Sequence, residues 1–214
     1  MDFKEVNQRR YSVRDFSSKE VKNEILTKIT EQAQHAPSWA NAQPWKVYFA
    51  KNETLGNIRQ SYQDKDAEGM SGESDFFIAH RNEWSSFAQQ NMARWNTEFS
   101  SFLINNKINF SKSAENLFNA PVVAFLTIGE MNPWSIYDLG AFGENLMLAA
   151  TDAGLASLPA YEFVRYPEVL RKNLPIPDEE IIGMGIGLGY LGDQQINDFH
   201  SSRVNVDKMM NISE

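Results

Sequence analysis

The segment SIYDLGAFGENLMLAATDAGLAS, residues 135–157, predicts a long helix that is apolar around most of its circumference. At helical spacing its inward face carries Leu139, Phe142, Leu146, Ala149 and Ala150. Small residues on the same segment, Gly140, Ala141 and Gly143, would let a second helix approach closely. A helix of this kind is buried, either in the core of the domain or in a dimer interface.

Apolar runs on both sides of this helix predict buried strands. APVVAFLTI, residues 120–128, is short, continuous and rich in β-branched residues, and EIIGMGIGLGYLG, residues 180–192, predicts another core strand. Nearer the start of the chain, Trp45, Val47 and Phe49 alternate with the period of two that a strand requires. Helices and strands are mixed without strict alternation, so the sequence favours an α+β fold with a sheet flanked by helices.

The remaining helical signals set the domain organisation. SSKEVKNEILTKITEQAQHAP, residues 17–37, predicts a helix in which Ser17 and Glu20 form a capping box and Pro37 ends the helix. We expect a single domain over residues 1–214, with an insertion at about 52–113 that is helical between residues 76 and 104.

Composition excludes several classes of function. The formal net charge of −8 argues against nonspecific nucleic-acid or anionic-membrane binding, because both need a basic surface. The absence of cysteine excludes disulfides, thiol nucleophiles and thiolate metal sites, and it fits a cytoplasmic protein. No apolar run approaches the length of a membrane span, and His35, His80 and His200 lack metal-ligand spacing. We therefore expect no membrane association and no metal site.

The glycines at 187, 189 and 192 match the spacing G-x-G-x-x-G of dinucleotide-binding folds. That motif requires a following helix and a second strand with an acidic residue, and the sequence after Gly192 predicts neither. We expect these glycines to let a core strand pack tightly instead.

The N-terminal stretch QRRYSVRDFS, residues 8–17, concentrates positive charge in an otherwise acidic chain. If it is extended, Arg10, Ser12 and Arg14 point to one face, and a helix would also bring the two arginines to one side. Forked guanidiniums match phosphate oxygens in paired, charge-assisted bonds, so the stretch is a candidate anion site. The alternative is a solvated charge run paired with neighbouring carboxylates such as Asp15.

The loop HAPSWANAQPW, residues 35–45, is a second candidate site. Pro37 and Pro44 stiffen it. It carries Ser38, Asn41 and Gln43, and Trp39 and Trp45 flank these polar residues. An amide offers both a donor and an acceptor, which suits the edge of a flat heterocycle with alternating C=O and N–H groups. The alternative is a loop that only ends a helix and begins a strand, and residue chemistry alone does not separate the two.

Together these motifs resemble the FMN-dependent nitroreductase family. The resemblance rests first on RRYSVRDF at residues 9–16 and PSWANAQPWKVYF at residues 37–49, which are fairly specific as a pair. It continues through APVVAFL, DLGAFGENLMLAATDAGLAS and IIGMGIGLGYLG, and then to SSR at residues 201–203. It covers most of the chain except for about residues 52–113.

The resemblance implies a nitroreductase-like fold with a mostly antiparallel central sheet, and a homodimer whose subunits exchange terminal segments. One FMN would lie in each of two interface pockets, and NAD(P)H would be the electron donor. Hydride would pass through flavin N5 to a small-molecule acceptor (a nitroaromatic, a quinone or a related compound) in a ping-pong scheme that needs no catalytic side chain. The alternative is a non-enzymatic flavin-binding or sensing protein of the same fold.

The resemblance also assigns roles to the arginines. Arg10 and Arg203 would hold the FMN phosphate, with Ser12 alongside. Arg14 would lie near the pyrimidine edge of the flavin and stabilise its reduced form. The family often has a lysine two residues before the final arginine, where this chain has Ser201.

Two further segments complete the implied cofactor site. Residues from the loop after the first long helix would come from the opposite subunit, and the segment LPAYE would run past the flavin ring near N5. The predicted cofactor-binding residues are Arg10, Tyr11, Ser12, Arg14, Pro37, Ser38, Trp39, Asn41, Gln43, Pro159, Ala160, Tyr161 and Arg203.

Overall fold

The computed structural model describes residues 1–213, and within that range the chain forms a four-stranded sheet. The strands are β1 (Trp45–Lys51), β2 (Val122–Ile128), β3 (Ala156–Ala160) and β4 (Ile181–Gly189). Their order across the sheet is β1-β2-β4-β3, and every neighbouring pair is antiparallel. The three predicted strand segments correspond to β1, β2 and β4.

Helices cover both faces of this sheet. They are α1 (Phe3–Arg9), α2 (Asn23–Ala33), α3 (Asn52–Ala67), α4 (Ser86–Asn105), α5 (Phe110–Glu115), α6 (Pro133–Asp152) and α7 (Pro167–Asn173). The predicted α+β fold with an antiparallel sheet flanked by helices is therefore confirmed. None of the helices within residues 1–213 is both long enough and apolar enough to cross a membrane.

Strand β2 is buried over its whole length because its side chains alternate between two apolar cores. Val123 and Phe125 pack into the core that includes residues of α3 and α7. Ala124 and Leu126 point the other way, into the core formed with α2 and α6. Both faces are thus removed from water, which explains why this strand is a continuous apolar run rather than an alternating one.

Helix α6 confirms the prediction made from residues 135–157, and its ends have local causes. Asn132 caps the start, where its Oδ1 accepts hydrogen bonds from the N–H groups of Trp134 and Ser135, both at 3.0 Å. The helix ends at Asp152, and Gly154 follows at φ +80°, a left-handed conformation that favours glycine. The chain then enters β3, so the last residues of the predicted helical segment are extended.

The predicted capping box at the start of α2 is wrong. The helix begins at Asn23, and its N-cap, Lys22, makes no side-chain capping bond. Ser17 lies six residues earlier, and its Oγ accepts only a 3.4 Å bond from the N–H of Lys19. Val21 is buried although it precedes the helix, so tertiary packing rather than helical periodicity accounts for its apolar character.

Three helices, α3, α4 and α5, occupy residues 52–115, and of the stretch expected to be helical between residues 76 and 104 the part from Ser86 onward is α-helical, in α4. Helix α4 begins only at Ser86, where the hydroxyl of Ser85 caps it by accepting from the N–H of Ala88 at 3.3 Å. Asp75 forms a 2.7 Å ion pair with Arg171, and its Oδ2 also accepts from the N–H of Ile182 at 2.8 Å. These contacts hold the preceding segment against α7 and β4 in a non-helical path.

The glycines of β4 have the packing role that the sequence predicts. A Cβ on Gly187 would lie 2.8 Å from Cζ of Phe163, and one on Gly189 would lie 2.6 Å from Cδ of Pro121. Neither distance is tolerable for real atoms, so these positions require glycine if the neighbouring rings are to lie flat on the strand.

Candidate functional site

The N-terminal segment is extended after α1 ends at Arg9, and it runs beside β3. Ser12 forms a parallel bridge with Ser157, and the N–H of Val13 donates to the Ser157 carbonyl at 3.1 Å. Tyr11 and Val13 pack into the core beside Leu158. The extended alternative is thus the one realised, and Arg10 and Ser12 point away from that core.

Arg10 and Arg9 have different surroundings. Arg9 pairs with Glu5 at 2.8 Å on the exposed side of α1, which is the ordinary surface pairing of a charge run. The side chain of Arg10 is only 14% exposed, and its nearest carboxylate, that of Glu144 on α6, is 3.7 Å away. At this distance the contact is weaker than a close hydrogen-bonded ion pair.

Arg14 is a buried cation without a carboxylate partner in residues 1–213. Its Nη1 donates to the Ser12 carbonyl at 3.1 Å. Its Cζ lies 4.9 Å from the centre of the Phe99 ring and 5.7 Å from that of Phe199. Burial lowers the pKa of Arg14, because the low-dielectric surroundings disfavour its charged form.

Asn197, buried near the end of the chain, fixes the backbone on which Arg14 lies. Its Oδ1 accepts from the N–H groups of Arg14 and Asp15, at 2.8 and 3.1 Å. Its Nδ2 donates to the Asp15 carbonyl at 2.8 Å and to the Gly192 carbonyl at 3.3 Å. Ser113 adds a 2.7 Å bond from its hydroxyl to the Arg14 carbonyl.

The C-terminal segment returns to the N-terminal one. The rings of Tyr11 and His200 lie 4.1 Å apart, and the Trp95 indole of α4 donates to Ser201 Oγ at 3.1 Å. Arg203 follows, exposed, and its Nη1 donates to the carbonyls of Ser201 and Ser202, each at 3.1 Å. The two ends of the chain therefore meet, while a phosphate site shared by Arg10 and Arg203 stays a prediction.

The loop at residues 37–43 is held in an unusual backbone conformation. Ala40, Asn41 and Gln43 have φ values of 47°, 61° and 46°, which are costly for residues other than glycine. The N–H of Gln43 donates to Ser38 Oγ at 3.0 Å, and its side-chain amide donates to the Asn41 carbonyl at 3.3 Å. Strained loops cluster at functional sites, so the conformation supports a binding role.

Helix α6 anchors this loop through Trp39. The N–H of Trp39 donates to the buried carboxylate of Asp138 at 3.0 Å, and the Trp39 ring stacks on Trp134 at 4.6 Å. Trp39 remains 59% exposed, and Pro37, Asn41 and Gln43 are exposed as well. The loop thus presents its predicted cofactor residues outward from the chain that carries them.

The third predicted segment lies at the end of β3. Pro159 and Ala160 are half-buried, and Tyr161 is 40% exposed at the start of a short 3-10 turn. Two residues before Pro159 on the same strand, Ser157 is buried, and its hydroxyl has no hydrogen-bond partner in the described part of the chain. Because Ser12 is paired with Ser157, the segment that carries Arg10 runs beside this strand, and the two provide cationic and hydroxyl groups that suit a phosphorylated ligand.

Sequence reasoning missed the groups that support these residues. Asp138, Glu144 and Ser157 lie within the segment DLGAFGENLMLAATDAGLAS, but that motif assigned them no role, and Asn197 lies in no motif. Of these four residues, only Asp138 could have been predicted from the sequence to have a structural role, because a carboxylate on the inward face of an apolar helix requires a hydrogen-bond partner. Among residues 1–213 no group of three or more His, Asp or Glu side chains is arranged to hold a metal ion.

Comparison with known proteins identifies what the chain is similar to. The model of the Nitroreductase family matches residues 8–190. The chloronitrobenzene nitroreductase of Comamonas testosteroni is 26% identical, with 93% of this chain and 91% of that protein covered. The nitrobenzene nitroreductase of Ectopseudomonas oleovorans is 27% identical, with 94% and 89% covered.

Solved structures share the fold over the whole chain. The FMN- and NADPH-dependent nitroreductase NfnB from Sphigopyxis sp. strain HMH superposes with a TM-score of 0.90 at 24% identity, and both chains are covered completely. NfnB from Mycobacterium smegmatis, solved in complex with NADPH, gives a TM-score of 0.89 at 24% identity, again with complete coverage of both chains.

Proposed function

Because the chain belongs to the Nitroreductase family, we propose that it is an FMN-dependent oxidoreductase that uses NAD(P)H to reduce nitroaromatic, quinone or related acceptors. Its relatives support the nitroaromatic part of this proposal, since those at 26–27% identity are named chloronitrobenzene, 4-nitrobenzoate and nitrobenzene reductases. The similar structures named as FMN- and NADPH-dependent support the cofactor and the donor.

The observation that carries the proposal is the buried Arg14 guanidinium, for which residues 1–213 supply no carboxylate. The Ser12 carbonyl and the rings of Phe99 and Phe199 offset only part of the cost of a buried cation, although a chain of net charge −8 has enough carboxylates to pair it. A ligand that brings an electron-rich edge to this position would compensate the charge. The pyrimidine edge of a flavin has such carbonyl oxygens, so the residues present fit FMN.

In this proposal each group of the site has a distinct task. Arg10, Ser12 and Arg203 bind the FMN phosphate, and Tyr11 positions the segment that carries two of them. Arg10 can exchange its long contact with Glu144 for a doubly charged phosphate at little cost. Arg14 stabilises negative charge at the ring edge.

The other segments border the ring. Pro159, Ala160 and Tyr161 line its path near N5, while the loop with Pro37, Ser38, Trp39, Asn41 and Gln43 reaches it from a second subunit. The chemistry that FMN would supply at this site is hydride transfer through N5, from NAD(P)H to the acceptor in a ping-pong scheme, while these segments would border the ring.

The homodimer is part of the proposal, and the exposed loop supports it. The loop contacts α6 through Trp39, but Pro37, Asn41 and Gln43 are exposed in the described residues 1–213, so a second copy is the natural place for their ligand contacts. We also propose that the protein is cytoplasmic and that it is a single domain in which residues 52–113 are an insertion. Light scattering of the purified protein would test the dimer, and a monomeric mass would contradict it.

The absorbance spectrum of the purified protein tests the central claim. We expect a yellow protein that is bleached by anaerobic titration with NADPH or NADH and recovers its colour when a nitroaromatic or quinone is added. A yellow protein that neither donor bleaches would replace the proposal with a non-enzymatic flavin-binding or sensing role. A colourless protein that does not bind added FMN would refute both.

A further inference from the structure

Ser157 carries a buried hydroxyl that nothing in the described part of the chain satisfies. The residue is 1% exposed, and its Oγ has no hydrogen-bond partner among residues 1–213. An unpaired buried hydroxyl is destabilising, since it gives up its bonds to water and gains none in return. A group of this kind in a native protein requires an explanation, and one explanation is a ligand that supplies the missing bond.

The face of β3 that carries Ser157 also carries predicted cofactor contacts. Leu158 packs into the core beside Val13, so alternation along the strand places Ser157 and Pro159 on the opposite face. Ser12 is paired with Ser157 in the parallel bridge, and its side chain therefore lies on the same side of the backbone layer. Arg10 belongs to that side as well, since it reaches Glu144 on α6.

The position of Ser157 along this face indicates which part of the cofactor would lie next to it. Pro159, expected at the flavin ring, is two residues further along β3, or about 7 Å in an extended strand. Arg10, expected at the phosphate, is two residues before Ser12 on the neighbouring segment. Ser157 therefore lies level with Ser12, between Arg10 at the expected phosphate and Pro159 at the expected ring, where the ribityl chain of FMN leaves the phosphate.

We propose that the Ser157 hydroxyl binds a ribityl hydroxyl of FMN, which makes Ser157 a cofactor-binding residue in addition to those predicted from the sequence. The inference rests on the proposed function. Because the hydroxyl is covered in the structure, access requires a neighbouring side chain to rotate.

Ser157→Ala tests the proposal by two effects of opposite sign. Loss of the ribityl contact should raise the Kd for FMN about tenfold, and the Kd for riboflavin by the same factor, because both flavins carry the ribityl chain. The flavin-free variant should melt about 2–4 °C higher than flavin-free wild type, since an unsatisfied buried hydroxyl has been removed. Fluorescence quenching gives the first quantity and calorimetry the second.

Ser135→Ala is the matched control, because it removes an equally buried hydroxyl that does have partners. Ser135 is 4% exposed, its Oγ donates to Glu130 at 3.2 Å and it accepts from Asn132 Nδ2 at 2.9 Å. This variant should melt lower than wild type, and its Kd for FMN should be unchanged.

The outcomes separate the inference from the function on which it rests. If wild type binds FMN and Ser157→Ala binds it equally well, the ribityl contact is overturned and the proposed function stands. An effect on FMN but not on riboflavin would assign Ser157 to the phosphate and overturn the inference. A lower melting temperature in the flavin-free Ser157→Ala protein would show that the hydroxyl has a protein partner, and this would also overturn the inference. Wild type that binds no FMN would overturn the proposed function, and the ribityl contact with it.

Discussion

Replacement of Asn197 by alanine should both destabilise the fold and weaken cofactor binding. The Asn197 carboxamide is the acceptor for two buried N–H groups, those of Arg14 and Asp15, at 2.8 and 3.1 Å. Alanine removes this acceptor, and residues 1–213 provide no other hydrogen-bond acceptor to either N–H group. The Asp15 carbonyl loses less, because the N–H of Gly192 still donates to it at 3.1 Å.

The expected magnitude follows from these contacts. Each buried donor left unsatisfied costs about 1–3 kcal/mol, and partial relaxation of an alanine site brings the total to about 2–4 kcal/mol. For a chain of this size that loss lowers the melting temperature by about 5–15 °C. Because the freed backbone carries Arg14, the Kd for FMN should also rise by about tenfold or more.

Urea unfolding of the flavin-free protein measures the first effect, and a flavin titration measures the second. Asn173→Ala is the control, since Asn173 makes one local bond from its Nδ2 to the Val169 carbonyl, at 2.9 Å. That variant should lose less than about 1 kcal/mol and bind FMN normally. If Asn197→Ala unfolds at the same urea concentration as Asn173→Ala, the idea that Asn197 holds the arginine segment is wrong.

Three further predictions address the chemistry, the sheet and the pH response. Arg14→Ala should slow flavin reduction by NAD(P)H by about 10²-fold in protein that still contains FMN, because a preorganised charge at the ring edge is lost; stopped-flow bleaching measures it. Gly187→Ala should lower the free energy of unfolding by about 1–3 kcal/mol, because its Cβ would meet the Phe163 ring, while Gly56→Ala in α3 should raise it by about 0.5–1 kcal/mol. Burial alone would raise the pKa of Glu180, but hydrogen bonds from a lysine, a threonine and a tyrosine outweigh it and lower that pKa. Glu180 therefore stabilises the fold above its unfolded pKa, and this contribution disappears as pH falls through the lower folded value. Glu180→Gln should flatten the acid side of a plot of unfolding free energy against pH.

Each of these predictions has an outcome that contradicts it. Unchanged reduction kinetics in FMN-loaded Arg14→Ala protein would remove the proposed role of the cation. Equal effects of the two glycine substitutions would show that the close approach of the Phe163 ring is not what requires glycine at position 187. An acid limb in Glu180→Gln that matches wild type would mean that other carboxylates control acid stability.

The sequence by itself determined the secondary structure wherever apolar residues recur at a local period. Strands β1, β2 and β4 and helix α6 follow from such patterns, since burial of one face is imposed by residues only two to four positions apart. Helix α3 has the same kind of signal in Leu55, Ile58 and Tyr62, all buried, but a polar surrounding sequence obscured it. The motif at residues 9–16 likewise placed two arginines and a serine on an extended segment.

Only the tertiary structure decided what surrounds those residues. The backbone N–H of Arg14 is bound by Asn197, which is 183 positions further along the chain. Ser12 is paired with Ser157, which is 145 positions further along. Neither partner belongs to a periodic pattern, because a single hydrogen bond across the fold constrains one residue and leaves its neighbours free. Local periodicity therefore specifies which segments are helices and strands. Their packing decides which buried polar groups meet and which, such as the Ser157 hydroxyl, have no partner among residues 1–213.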